Sequence, residues 1–419
     1  MTLLNIAAIV LALLGSPLFV AIAAIALISF AGVDIDLSVI IIEMSRLAET
    51  PLLISLPLFI FAGTLLSESN TAQRLLRLSR VLLGWLPGGL AVIAILVCAV
   101  FTAFTGASGV TIFAVGGLLL PALLADGYSE KFSLGLLTTS GSLGLLFPPS
   151  LPLILYGVIS GARIDQLFLA GILPGLLMLA LLVGYGIRHA GRRRPQTLPT
   201  GDLFPALKAA AWELPLPVIV LGGIYGGIFV AGEAAAVTAL YVLIVEVVVY
   251  KDVSWQRLPT VMVQSMVLFG GILVVLASAM AATNFLVDQE VPARLFEWIR
   301  TYISNKYTFL LVLNIFLLMV GCMLDIFSAL VLVVPIIVPI AQAYGVDLIH
   351  LGIIFLTNLQ IGYSTPPVGL NLFLASYRFE KPIATLYVAT LPFLLLLLAT
   401  LAIISYFPDL SLLLVRLRG

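Results

Sequence analysis

The chain alternates long apolar stretches with short charged ones. Uncharged runs cover 1–33, 81–125, 132–162, 166–187, 214–232, 258–287, 307–324, 326–346, 348–377 and 382–408. A helix needs about 20 apolar residues to cross the hydrocarbon layer, so these runs predict membrane spans or membrane-inserted segments. Two stretches read differently. Arg74, Arg77 and Arg80, then Arg294, Glu297 and Arg300, recur every three residues in 71–85 and 290–305. That period predicts two amphipathic helices lying in the interface, on opposite sides of the bilayer.

Composition strengthens the membrane reading. Hydrophobic residues make up 62% and charged residues 10% of the 419, where a soluble chain carries roughly a quarter charged. The first apolar run continues to Phe30 behind an uncharged Met1-Thr2-Leu3-Leu4, which predicts a first membrane segment rather than a cleaved signal peptide. Cys98 and Cys322 both sit inside apolar stretches, against a disulfide framework or a zinc site. Zero net charge makes nucleic acid an unsuitable partner.

The basic cluster Arg188, Arg192, Arg193 and Arg194 places the loop 188–212 in the cytoplasm by the positive-inside rule. Counting from it puts Lys251 and Arg257 inside, 289–306 outside, Gly161 to Asp165 outside and 126–131 inside. Arg74, Arg77 and Arg80 then stay inside only if 86–125 is a re-entrant hairpin. On this count Arg416 and Arg418 fall outside, against the charge rule.

The sequence also repeats itself. A shift of 218 superposes Pro121 on Pro339, Gly127 on Gly345, Thr139 on Thr357, Gly144 on Gly362, Pro148-Pro149 on Pro366-Pro367 and Pro174 on Pro392, with no gap from 121 to 174. Several of these are Gly or Pro, which set backbone geometry. With an odd number of crossings per copy, the second copy is upside down. Inverted repeats with broken helices place substrate and ion sites near the bilayer midplane, where the copies meet.

Each copy breaks twice. In the first, Thr105-Gly106-Ala107-Ser108-Gly109-Val110-Thr111 interrupts 86–125 and predicts a hairpin tip. Backbone outside a helix is tolerated at that depth only where protein buries it or it lines a wet cavity. The tip carbonyls and the Ser108 and Thr111 hydroxyls are therefore candidate ligands for a hard cation; the alternative is a helix packed closely through small residues. In 130–160, Phe147-Pro148-Pro149-Ser150 must interrupt the helix, because proline lacks the amide donor and disfavours helix before it. The helix resuming near Leu151 aims its N-terminal amides at the break, where a carboxylate is the natural occupant.

The second copy has a hairpin at 306–344, with its tip at Val320 to Ser328, and a broken helix at 347–377, interrupted over Ile361 to Gly369. Asp325 is the only charged residue between Lys306 and Asp347. An ionisable group at membrane depth is by default a functional candidate: it could bind Na+, carry a proton, or only accept from backbone amides. Asn371 either hydrogen-bonds substrate or joins helices. Ser108, Ser140, Ser150, Ser364 and Asn371 form the candidate substrate-binding set. Glu233 and Glu246 lie outside the hairpins and read as membrane-face or scaffold residues.

These stretches, with Gly127-Tyr128-Ser129, Ala170 to Gly175, Gly232-Glu233-Ala234-Ala235-Ala236 and Thr365-Pro366-Pro367-Val368-Gly369-Leu370-Asn371, resemble the large membrane subunit of tripartite ATP-independent periplasmic (TRAP) transporters along essentially the whole chain. The resemblance implies an all-α polytopic membrane protein of elevator type, with an inverted repeat, two re-entrant hairpins and two broken helices, similar to divalent-anion/sodium symporters. It implies scaffold helices and a first arm helix over 1–85, a transport unit over 86–187, a cytoplasmic linker over 188–212, scaffold and second arm over 213–305, and a second transport unit over 306–419. It further implies uptake of organic anions (C4-dicarboxylates, sialic acids or related carboxylates) across the bacterial inner membrane. Na+ would be the coupling ion, with no other cofactor. A small four-helix membrane subunit and a periplasmic substrate-binding protein would be the partners. Carried over by position, one Na+ site involves Ser108 and Gly144 with Pro148 nearby, and the other Asp325, Gly362 and Thr365.

Rival readings are weaker. Gly106-Ala107-Ser108-Gly109 fits a serine-protease motif, yet His189 and His350 lie in or beside charged loops, away from Ser108. A nucleotide-binding loop is missing, against a primary pump. A stand-alone symporter or antiporter of related fold remains the competitor.

Overall fold

The structure is a computed structural model and describes residues 16–33, 51–86, 88–190 and 203–418, with a few positions between 36 and 45. The readings of residues 1–15 and of Arg192 to Arg194 lie outside the described residues. The described residues form helices and connecting turns, without a strand. Among them, seven helices are long and apolar enough to cross a membrane, eight if a bent pair counts as one span.

Among the described residues the first broken helix is preceded by α1 (Leu18–Ala31), α2 (Ser55–Glu68), α3 (Thr71–Leu83), α4 (Gly89–Thr105) and α5 (Ser108–Ala125). α6 (Glu130–Ser140) leads through a 3-10 turn (Leu143–Leu146) into α7 (Leu151–Ser160), bent by 46°, and α8 (Ile164–Ala190) follows. α9 (Leu203–Ala209), α10 (Pro215–Tyr225), α11 (Ala231–Val249), α12 (Leu258–Asp288) and α13 (Val291–Tyr302) lead into the second copy. That copy comprises α14 (Lys306–Met323), α15 (Ile326–Ala343), α16 (Leu348–Gly362), α17 (Leu370–Phe379) and α18 (Ile383–Tyr406); α19 (Asp409–Arg418) ends the chain.

The duplication is visible in backbone detail. The helix-capping residues Ser129 and Asp347 stand 218 apart, each accepting from the amides of the following turn. So do the left-handed glycines Gly127 and Gly345, and the cis pairs Pro148-Pro149 and Pro366-Pro367. After the breaks the register slips. α7 and α17 are both ten residues long but begin at Leu151 and Leu370, one residue beyond the 218 shift. Pro174 and Pro392 return to 218, so the constant offset expected across 121–174 does not hold through this segment. The extra residue accommodates Gly369, whose φ of +55 suits glycine.

The two copies run in opposite directions. The Lys381 ammonium just after α17 pairs with Glu130 at the start of α6, 2.6 Å away. The Tyr156 hydroxyl near the end of α7 donates to the Leu348 carbonyl at the start of α16, 2.8 Å away. Each broken helix therefore begins where the other ends. α7 packs on α15 of the second hairpin and α17 on α5 of the first, a reciprocal exchange that buries one continuous core.

Specific contacts hold the charged loops. His189 stacks on Phe132 with ring centroids 5.1 Å apart, putting the end of α8 beside the start of α6. Arg257 pairs with Glu68 at 3.0 Å. Arg416 pairs with Asp409, and Arg418 lies over the Tyr225 ring, 4.6 Å from its centroid. The two arginines that the charge rule does not account for thus have partners of their own.

α3 and α13 are amphipathic, as their charge spacing predicts. Within the expected linker, Ala206 and Ala210 of the α9 segment pack on Leu78 of α3. α2 lies in a charge-free run shorter than a full span, and packs into the scaffold against α11 and α12.

Candidate functional site

The first tip forms because Gly106 ends α4 in the left-handed region (φ +67), and a Cβ there would stand 2.5 Å from the Leu151 side chain. Ala107 is extended, and α5 restarts at Ser108. The buried Ser108 hydroxyl donates to Asn371 Oδ1 at 2.8 Å, and Asn371 Nδ2 donates to the Thr138 carbonyl at 3.3 Å. The Thr102 hydroxyl donates to the Gly141 carbonyl at 2.8 Å and lies 2.5 Å from the Thr111 hydroxyl. The tip of hairpin 1 is thus bonded both to the first broken helix and to α17 of the second.

Both breaks lean on the inner helix of their own hairpin. A Cβ on Gly144 would stand 2.2 Å from the Ala99 carbonyl oxygen and 2.4 Å from the Ala103 nitrogen. One on Gly362 would stand 2.6 Å from the Gly321 carbonyl carbon. Only glycine permits either approach. The Ser150 hydroxyl donates to the Leu145 carbonyl within its own break. In the second copy the Gly369 amide donates to the Cys322 carbonyl at 2.9 Å, and the Ile326 amide to the Tyr363 hydroxyl at 2.5 Å.

Asp325 caps α15. Its Oδ1 accepts from the Phe327 and Ser328 amides, both at 3.0 Å, and the residue is exposed. It borders a cavity of about 390 Å³ lined by Val267, Gly271, Ile272 and Val275 of α12 and by Phe327 and Val331 of α15. The Thr365 hydroxyl donates to the Ile361 carbonyl at 2.9 Å. Tip and break of the second copy meet, therefore, through Cys322 with Gly369 and Ile326 with Tyr363, while the side chains of Asp325 and Thr365 bond within their own segments.

Several polar atoms around the breaks are buried without a hydrogen-bond partner among the described residues: Ser140 Oγ, Thr357 Oγ1, Gln360 Oε1 and Ser364 Oγ. Leaving such a group unpaired costs about 1–3 kcal/mol, so each calls for a ligand, an ion or water. Of the candidate substrate-binding residues, then, Ser108 and Asn371 bond each other, Ser150 bonds locally, and Ser140 and Ser364 keep a free hydroxyl. Sequence reasoning passes over Thr102, Tyr363 and Gln360. The repeat carries a signal for the last: the Gln360 carbonyl accepts from the Ser142 hydroxyl at 3.2 Å, and these two residues occupy equivalent positions in the two copies.

A second polar cluster lies away from the breaks. Arg74 of α3 pairs with Glu213, Asp252 and, at 2.9 Å, Glu246, and its guanidinium carbon lies 3.8 Å from the Tyr250 ring centroid. Burial pushes the Glu213 carboxyl up despite Arg74. At Asp252 burial acts the same way, but the two Asn70 donors and Arg74 outweigh it and hold that carboxyl below its usual range. Glu246 is fully buried and so serves scaffold packing, while Glu233 is exposed and caps α11 through the Val230 amide. Neither touches the breaks. The histidines are also engaged elsewhere, His350 with Ser411 at 2.9 Å and His189 with Phe132.

Comparison with known proteins agrees with this geometry. The family described as "Tripartite ATP-independent periplasmic transporter, DctM component" matches residues 5–410. The C4-dicarboxylate TRAP transporter large permease protein DctM of Rhodobacter capsulatus is 35% identical, covering 88% of this chain and 87% of that protein. The sialic acid TRAP transporter large permease protein SiaM of Vibrio cholerae is 32% identical, with 96% and 94% covered. The crystal structure of the Alcanivorax borkumensis YdaH transporter superposes with a TM-score of 0.60 at 16% identity over 88% of this chain and 87% of that one, a likeness of fold alone. The chain belongs to the family of TRAP transporter large permease subunits, multi-pass proteins of the bacterial inner membrane.

Proposed function

We propose that this chain is the carrier subunit of a Na+-coupled importer of small organic carboxylates. The observation that carries the reading is the reciprocal meeting of two tips and two breaks inside an inverted repeat, with free buried hydroxyls at Ser140 and Ser364. The groups around the breaks are carbonyl, hydroxyl and amide oxygens with one carboxylate, Asp325, a donor set that suits a hard cation. The N-terminus of α7, which no side chain caps, turns its positive dipole end toward the break and suits an anion. Relatives named for C4-dicarboxylates and for sialic acid are consistent with a carboxylate cargo.

The hairpins and broken helices form a body that packs on α2 and α12, with α3 bracing the first hairpin and α13 the second. An elevator movement of that body past the scaffold would expose the site to each side in turn. A periplasmic binding protein would deliver the cargo, and a small four-helix membrane subunit would complete the complex. The test is uptake into proteoliposomes containing both membrane subunits, with the binding protein outside and an imposed Na+ gradient. Uptake indifferent to Na+ would overturn the coupling. Uptake without the binding protein would favour a stand-alone symporter.

A further inference from the structure

The two hairpins are equivalent by duplication but are not held equally. On hairpin 1, α17 grips α5 along two turns. Asn371 takes the Ser108 hydroxyl, Leu374 lies over Gly109, and Arg378 Nε donates to the Phe113 carbonyl at 2.9 Å. Phe113 belongs to a one-turn π-bulge, Ile112–Gly116, of the kind often found where a helix does work. Gly116 and Gly117 leave room for this approach: a Cβ on Gly117 would overlap the guanidinium of Arg378, and one on Gly116 would press on the Phe379 ring. Among the described residues Arg378 has no acidic partner, so the main-chain carbonyl is its recorded bond.

The equivalent interface of hairpin 2 has none of this. By the offsets of the repeat, Ile159 of α7 takes the place of Arg378, and Val331 and Pro335 of α15 take those of Phe113 and Gly117. These three residues, with Leu276, Ala279, Met280, Thr283 and Asn284 of α12, line a cavity of about 190 Å³. α15 carries no π-bulge at the matching position. Where one interface has two hydrogen bonds and glycine-permitted contact, its counterpart packs through apolar side chains beside a hollow shared with α12, which forfeits packing attraction along that lining.

We infer that hairpin 1 and α17 form one clasped unit, with Arg378 as the positioning residue that keeps the Ser108 tip on Asn371, and that hairpin 2 is the hairpin that yields. This deepens the carrier reading, in which a tip must release its hold on cargo for one side to open. Opening is then assigned to the periplasmic hairpin, while the cytoplasmic one stays bonded to the broken helix of the other copy.

Amide hydrogen exchange of the protein in lipid nanodiscs tests this without any transport assay, so its outcome is separable from that of the uptake experiment. Peptides covering 326–335 are expected to exchange faster than those covering 108–117. Arg378→Ala should speed exchange in 108–117 by roughly ten-fold while leaving 326–335 as it was, and Arg378→Lys, which keeps a donor, should restore protection. Equal or slower exchange in 326–335 would overturn the assignment. So would an Arg378→Ala protein whose 108–117 segment exchanges like the parent.

Discussion

The Ser108 hydroxyl at the tip of hairpin 1 donates to Asn371 Oδ1 on α17, 2.8 Å away and 263 residues further along the chain. A single buried bond thus ties the tip of one copy to the break of the other. Ser364, in the second break, is also buried but has no partner among the described residues. The two serines therefore predict opposite stability effects. Ser108→Ala strands Asn371 Oδ1 and should cost about 1–3 kcal/mol. Ser364→Ala removes an unpaired hydroxyl and should leave the thermal midpoint unchanged or raised, while weakening half-saturation for the carboxylate. Thermal unfolding in detergent beside uptake titrations checks both; a Ser364→Ala protein that unfolds early would show that its hydroxyl is structural.

Asp325 combines two roles that one substitution can separate. Its Oδ1 caps α15, and asparagine caps a helix about as well as aspartate. Asp325→Asn is accordingly expected to fold like the parent yet lose Na+ activation of uptake, whereas Asp325→Ala should also lose about 1 kcal/mol of stability with the cap. If Asp325→Asn transports with the parent's Na+ dependence, the residue is a cap and nothing more.

Gly144 and Gly362 have no space for a side chain, because backbone of the hairpin's inner helix occupies it. Backbone gives way less readily than a flexible side chain, so Gly144→Ala and Gly362→Ala should each destabilise by at least about 1–3 kcal/mol. Gly184 and Gly232 have nothing within 4 Å of the added carbon, and alanine there should be neutral. Fluorescence-detected size exclusion after a heating series would rank the four variants.

Arg74 stands among three carboxylates, with its side chain 11% exposed. Arg74→Ala leaves Glu246 buried and unpaired, and is expected to cost about 3–5 kcal/mol. A double-mutant cycle with Glu246→Gln should fall well short of additivity. The pH dependence follows from Asp252, whose carboxyl is held low in the folded protein. Its stabilisation is complete above its ordinary pKa of about 3.9 and is lost as pH falls through the lower folded value. Asp252→Asn should therefore flatten the acid limb of stability below about pH 4. Chemical unfolding from pH 3 to pH 7 reads this directly.

Much of the architecture was legible along the chain because membranes impose a strict vocabulary. Apolar length marks spans, arginine placement marks sides, and glycine and proline mark where helices must stop. The 218-residue offset therefore disclosed the duplication, the two hairpins and the two breaks, and the period of Arg74, Arg77 and Arg80 disclosed an amphipathic helix. The one-residue slip between α7 and α17 escaped because prolines on either side keep the same spacing.

What the sequence by itself determined is where the backbone leaves the helix and which polar residues sit there. Only the tertiary structure decided their partners: that Ser108 bonds Asn371 rather than standing free, that Asp325 caps its own helix, that Gly144 and Gly362 are sites of close backbone approach, and that hairpin 1 alone is clasped. The reason is physical. Helix breaks and membrane depth depend on residues near one another in the chain, whereas a hydroxyl 263 positions from its acceptor finds it only after two inverted copies have packed together.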